Sequence, residues 1–372
     1  MKRYLFLFSF LFLFACGEDP IDPGTNNPTS DTFDRQQMLT DWADNNIIPA
    51  YEDFAEHTQS MREAAEALVA EPSEANYSDL AVAWGLAYEV WQRVSMFEIG
   101  KAEELSYRNK MNIYPADVET IEENIVTGSY NLELPSTIDE QGFPALDYLL
   151  FGVKESHDAT RDFYTTSEAE SYRNYILMLV ERMDEMTDEI LADWQQNFRT
   201  TFIENDGNSV TASVDKMVND FIFYYEKALR AGKVGIPAGV FSGDPLSDRV
   251  EALYLDTYSK ELFFTALDAT QRFFNGIPYN NGSATGESLR TYLETLGTEK
   301  DGQNLADVID AQFEAAKAEA SKLDNSFRQQ VETDNIAMLT VFDALQLNVV
   351  NLKVDMLQAL NINVDYVDAD GD

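Results

Sequence analysis

Gln141-Gly-Phe-Pro-Ala-Leu-Asp-Tyr-Leu-Leu-Phe-Gly152 is the stretch on which the reading of this chain turns. Gly142 marks a turn, and Pro144 suits the first turn of a helix, where its missing N–H costs nothing. Leu146, Leu149 and Leu150 then share one helical face, and Gly152 is placed to stop the helix in a left-handed cap. Asp147 follows Pro144 by three residues, so both point the same way from a very short helix. A carboxylate near a helix start is favoured by the dipole with or without a function. The residues alone therefore leave capping and binding both open for Asp147.

Outward from this stretch the pattern is helical almost throughout. Met38, Trp42, Tyr51, Phe54, Met61, Ala65 and Leu68 predict a long first helix, which Pro49 should kink or split. Ser78 is placed to cap a second helix with Leu80, Trp84, Ala87, Trp91 and Val94 inside, running on to Gly100. Ile176, Leu179, Val180, Met183, Met186, Ile190 and Trp194 mark a strongly amphipathic helix. Asn205-Asp-Gly-Asn208 is a turn signal and the expected domain boundary. Beyond it, Val214 to Leu229 keeps one face apolar, and Gly232-Lys-Val-Gly-Ile-Pro-Ala-Gly239 breaks the period as a loop. Neither a Walker pattern nor a dinucleotide fingerprint is present there. Pro245 is expected to open the next helix, with Gly276 at its end. The last helices run roughly over 304–323 and 334–360. The terminal Asp365 to Asp372 stops before the twelfth ligand of a calcium hand and reads as a solvated acidic tail.

The 372 residues carry 26 basic and 66 acidic side chains, a net charge of −40. Such a surface repels nucleic acid and anionic headgroups, so nucleic acid is excluded as a partner. Hydrophobic content of 45% is that of a globular chain. The single cysteine, Cys16, permits no intrachain disulfide, and two histidines, His57 and His157, are too few for a Cys/His zinc site. No His-Glu-x-x-His helix and no Gly-x-Ser-x-Gly elbow occurs.

Lys2 and Arg3 precede an apolar run from Tyr4 to Ala15, which fits a signal-peptide core and is too short to span a bilayer. Leu13-Phe-Ala-Cys16 resembles a bacterial lipoprotein box, in which Cys16 is lipidated and becomes the first residue. Acyl chains at about 0.8 kcal/mol per buried methylene then hold the protein on a membrane. Residues 16–33, rich in proline, glycine and acids, read as a flexible tether.

The central stretch resembles the signature of the imelysin family, bacterial envelope proteins linked to iron or haem acquisition. That signature is Gly-x-His-x-x-Glu before a hydrophobic run and glycine. Here Gly142 holds the glycine position, Pro144 the histidine position and Asp147 the glutamate position, as in a divergent branch of Bacteroidetes type. Trp91-Gln-Arg-Val-Ser-Met-Phe-Glu-Ile-Gly100, Asn112-Ile-Tyr-Pro-Ala-Asp117 and the glycine-rich loop at 232–239 are similar to further family segments. The resemblance implies an all-α fold of two related four-helix-bundle-like domains. The expected division is a lipoprotein signal at 1–15, a tether at 16–33, bundles at 34–205 and 209–364, and a tail at 365–372.

It also implies a lipid-anchored protein of the cell envelope, on the outer membrane, with a ligand site in the cleft between the bundles. Gly142, Phe143, Pro144, Asp147, Glu98, Asp117 and Arg173 are its candidates in the first bundle. Gly235, Pro237 and Gly239 oppose them. Arg173 is read either as a buried partner of Asp147 or as a surface residue. Iron or another divalent cation is the cofactor class the family suggests, though nothing in the sequence requires one. An outer-membrane iron or haem uptake protein is the implied partner. The alternatives are an imelysin-type metallopeptidase, for which Pro144 removes the family histidine, and an envelope scaffold that binds protein alone.

Overall fold

The computed structural model describes residues 33–280 and 285–366. Cys16, the signal at 1–15, the tether up to Thr32 and the last six residues of the tail lie outside the described residues. The described chain is helical but for a hairpin pairing Glu299–Lys300 with Gln303–Asn304. Eight principal helices organise it: α1 (35–70), α2 (Glu74–Val94), α3 (142–152), α4 (170–204), α5 (213–235), α6 (Ser259–Phe274), α7 (Leu305–Ala320) and α8 (Asn335–Leu360). Helices α1, α2 and α4 pack together in the first half; α5, α6, α7 and α8 do so in the second. Helix α6 lies against α2 and joins the halves. From Phe33 onward the chain forms one compact unit with a continuous apolar core. The 205–208 turn links α4 to α5.

Several elements differ from the periodicity for physical reasons. Near Pro49 α1 is interrupted rather than ended. A π-turn at Ala43–Ile47 precedes the proline, which sits in the first turn of the α-helical segment that follows, where no N–H is needed. The cap of α2 is Ser73, which accepts from the Asn76 N–H at 3.2 Å; Ser78 lies inside the helix. That helix ends at Val94, and Gly100 instead starts a short helix at Lys101–Leu105.

Helix α5 runs past the expected loop start at Gly232 as a twelve-residue π-segment, Tyr224–Gly235. Pro245 opens no helix. Residues 245–258 form turns with two short 3-10 segments, and α6 starts at Ser259. Gly152 is not left-handed. Its glycine is required because a Cβ there would lie 2.4 Å from the Tyr254 ring. Leu339 of α8 is exposed, whereas Leu345, Val349, Leu352 and Met356 are buried as their spacing predicts.

Gly142 shows the strictest backbone requirement. Its φ is +75°, and a Cβ would stand 2.2 Å from the Met111 carbonyl oxygen. Gly128 has φ +63° with open space around it. Gly128→Ala should therefore cost about 1 kcal/mol of unfolding free energy, the left-handed penalty alone. Gly142→Ala should cost roughly 3 kcal/mol or more, because backbone must move as well. Urea unfolding of the two variants checks the difference.

Candidate functional site

Helix α3 is held at the seam between the halves. Phe143 stacks on Tyr88 of α2 with ring centroids 4.3 Å apart and planes within 1° of parallel. The Phe143 carbonyl accepts from Trp84 Nε1 at 3.3 Å. Asp147 reaches across to the second half. Its Oδ2 accepts from the Tyr254 N–H and its Oδ1 from the Leu255 N–H, both at 2.9 Å. Burial pushes this carboxyl up to about 7, although the two amides pull it down. Through these bonds the segment after Pro245 is fixed as a bent strap.

Beside this helix lies a cavity of about 270 Å³ lined from both halves. Trp91, Ser95, Asn112 and Tyr114 face it from the first; Tyr224, Lys227 and Lys233 face it from the π-segment of α5. A π-turn spaces side chains more widely than an α-turn and often marks a functional site. Through the wall runs a buried polar chain. The Tyr88 hydroxyl donates to Asn112 Oδ1 at 2.6 Å, and Asn112 Nδ2 donates to Glu251 Oε1 at 2.7 Å. Glu251 also accepts from Gln92 Nε2 at 3.1 Å and from the Lys233 ammonium. Lys233 Nζ donates to Gln92 Oε1 at 2.8 Å. Burial lowers the Lys233 pKa, and Glu251 opposes that shift.

A second polar knot adjoins the cavity through Arg108. Its Nη2 donates to Asp220 Oδ1 at 2.9 Å and its Nε to the Ser95 carbonyl at 2.7 Å. Glu98 Oε2 accepts from the Arg108 N–H at 2.7 Å, and Asp220 Oδ2 accepts from the Glu98 N–H at 2.7 Å. Burial raises the Glu98 carboxyl to about 7; Arg108 lowers it and Asp220 raises it further.

The sequence candidates fall in distinct places. Gly142, Phe143, Pro144 and Asp147 are buried at the seam and none of them lines the cavity; Glu98 lines an adjoining pocket together with Arg108. Asp117 caps a short helix, accepting from the Thr120 N–H at 3.0 Å, which holds its pKa below the usual value. Arg173 is neither a partner of Asp147 nor a surface residue. It is buried, and its Nη1 donates to the Tyr164 and Thr166 carbonyls at 2.8 Å.

Gly235 sits against Phe342, and Gly239 turns at φ +79° against the Asp244 carbonyl. The Pro237 carbonyl accepts from the Leu246 N–H at 2.8 Å. Sequence reasoning missed Lys233, Glu251, Gln92 and Asn112. Lys233 and Glu251 each lie among apolar neighbours (Ala-Gly-Lys-Val and Val-Glu-Ala-Leu), a local sign that a charge is buried and needs a partner.

The donor set does not suit a resident metal. Pro144 has no lone pair to offer, and both Asp147 oxygens already accept backbone N–H groups. Among the described residues, no group of three or more His, Cys, Asp or Glu is placed to hold a metal ion.

The raised Asp147 pKa carries a sign. The folded carboxyl titrates near 7 and the unfolded one near 3.8, so between those values the native state binds the proton more tightly. This contribution to stability is complete below about pH 4 and is lost as pH rises towards about 7. Asp147→Asn should flatten that part of the pH profile of chemical denaturation. Separately, Lys233→Met should cost roughly 3 kcal/mol, since Glu251 is left as a buried, unpaired charge. Adding Glu251→Leu should recover part of that loss in the same assay.

The Imelysin family model matches residues 47–352. A curated relative, iron-regulated protein A of Synechococcus elongatus, is 21% identical over 160 residues, covering 43% of this chain and 40% of the relative. The match thus spans well under two thirds of that protein's length. An iron-regulated protein A precursor from Parabacteroides distasonis has a crystal structure similar to this fold. The TM-score is 0.70 and the identity 17%, covering 88% of this chain and 94% of that one. The crystal structure of an imelysin-like protein from Psychrobacter arcticus likewise gives a TM-score of 0.69 at 18% identity, covering 89% and 97%. With the family pattern matched across most of its length on an all-α fold, the chain belongs to the Imelysin family.

Proposed function

We propose that this protein is a lipid-anchored binding protein of the cell envelope, serving iron or haem acquisition by taking a small ligand into the cavity between its halves. The cavity itself carries this reading. At about 270 Å³ it falls just below the usual range for small-molecule sites, and residues from both halves line it. A buried Lys233–Glu251 pair stands behind it, at a desolvation cost that an apolar pair of the same shape avoids. Relatives described as iron-regulated protein A, one of them a precursor, support the iron setting and export. The lipoprotein box at Cys16 supports anchoring to the outer membrane. Binding rather than peptide hydrolysis is supported by Pro144 and by the engagement of Asp147 with two backbone amides.

Native mass spectrometry of protein isolated from iron-starved cells tests the reading. A non-covalent small-molecule adduct is expected, and Ala228→Trp, which fills the cavity from α5, should remove it. A casein assay with added Zn²⁺ supplies the opposing result. Metal-dependent turnover abolished by Asp147→Ala would replace binding with metallopeptidase activity.

A further inference from the structure

We propose a second binding site in this protein, for a small organic oxyanion (a carboxylate or a phosphate ester) anchored by Arg272. It lies in a cavity of about 450 Å³, inside the usual range for small-molecule sites, and both halves build it. Met96 and Phe97 stand in its wall just beyond the end of α2. Phe264, Thr265, Asp268, Ala269 and Arg272 face it from α6 at three- and four-residue spacing, so a single helix face forms that side. Phe264, Ala269, Ile277 and Tyr279 are each partly exposed and give the cavity apolar surface. None of its lining residues belongs to the 270 Å³ cavity.

The cations that line the 270 Å³ cavity (Arg108, Lys227, Lys233 and Arg249) each pair with a carboxylate outside its lining. The second cavity differs. Arg93, Arg272 and Lys317 line it; Arg93 pairs with Glu89 at 3.1 Å and Lys317 with Asp268 at 2.7 Å. Among the described residues Arg272 has no carboxylate within ion-pair distance, in a chain with 66 acidic side chains. Its Nη2 donates to the Pro278 carbonyl at 2.8 Å, which leaves most of the guanidinium donors for the cavity. Arg173 and Lys260 also lack a carboxylate, but each donates to two backbone carbonyls. Arg272 is partly exposed, so its remaining N–H groups are open to a ligand. The guanidinium is also held in place. The Ile277 N–H donates to the Arg272 carbonyl at 2.9 Å, and Asn46 Nδ2 donates to the Ile277 carbonyl at 2.9 Å. The Tyr279 N–H donates to the Asn45 carbonyl at 2.8 Å, so the loop that receives Arg272 is pinned to the π-turn of α1. A planar fork fixed beside an apolar wall suits an oxyanion, which accepts two of its N–H groups at once. Asp268, the carboxylate in the lining, is engaged by Lys317. The competing occupant is water.

Isothermal titration of the purified protein with phenyl phosphate, phenylacetate, benzyl alcohol and benzylamine tests the site. One of the two oxyanions should bind roughly tenfold or more tightly than the alcohol, and the amine should bind least. The tighter oxyanion identifies the headgroup. Arg272→Met should weaken it about tenfold, and Arg272→Lys, which keeps the charge but loses the fork, should fall between. Ala269→Trp, which fills the cavity from α6, should abolish binding, whereas Ala228→Trp should leave it unchanged. Circular dichroism and the urea midpoint of each variant report its folding. Equal binding of oxyanion, alcohol and amine, or oxyanion binding undiminished in Arg272→Met, overturns the proposal. Binding lost in Ala228→Trp but kept in Ala269→Trp places the anion in the other cavity and also overturns it. Silence of both oxyanions overturns it as well, while the native adduct and its loss in Ala228→Trp decide the first cavity separately.

Discussion

The Asp147 carboxylate accepting the amides of Tyr254 and Leu255 is the constraint on which the architecture turns. Two backbone donors in a strap without regular structure need an acceptor once they leave water. A carboxylate on a neighbouring helix satisfies both with one side chain. In return the strap places Tyr254 against Gly152 and brings Glu251, a few residues earlier, to Asn112 and Lys233, which line the cavity. The motif helix thus acts on the site through the second half of the chain. Its aromatic neighbour Phe143 does the same for the first half by stacking on Tyr88, the start of the polar chain to Glu251.

That chain explains why so many uncharged polar residues are buried at the seam. Gln92 and Asn112 share one carboxylate with Lys233, so each heteroatom of the ion pair has a hydrogen-bonding neighbour. A buried ion pair is tolerable only when its remaining lone pairs and protons are satisfied in this way. The π-segment of α5 matters because its wider turn carries Tyr224, Lys227 and Lys233 to the same cavity. Elements from both halves thus surround one cavity.

The net charge of −40 sets the background. Most of it belongs to solvated helix faces, where exposed ion pairs contribute little. Against that background the first cation-lined cavity is a local reversal of sign, built by holding the counter-carboxylates outside the cavity wall.

The helices were legible in the sequence because burial of one face imposes a period that no loop reproduces. Ile176, Leu179, Val180, Met183, Met186, Ile190 and Trp194 are buried as their spacing requires. Gly142 was legible as a turn. Partners distant in sequence were not legible. Glu251 meets Gln92 across 159 positions and Asn112 across 139, so no local pattern encodes either contact. The strap at 245–258 carries apolar residues that read as helix, yet its backbone is claimed by Asp147, a tertiary bond that overrides local preference. The sequence by itself determined which faces had to be buried and hence an all-α chain of this family. Only the tertiary structure decided which buried charges met and which residues of the two halves came to line one cavity, because those outcomes depend on distances between segments that no single stretch contains.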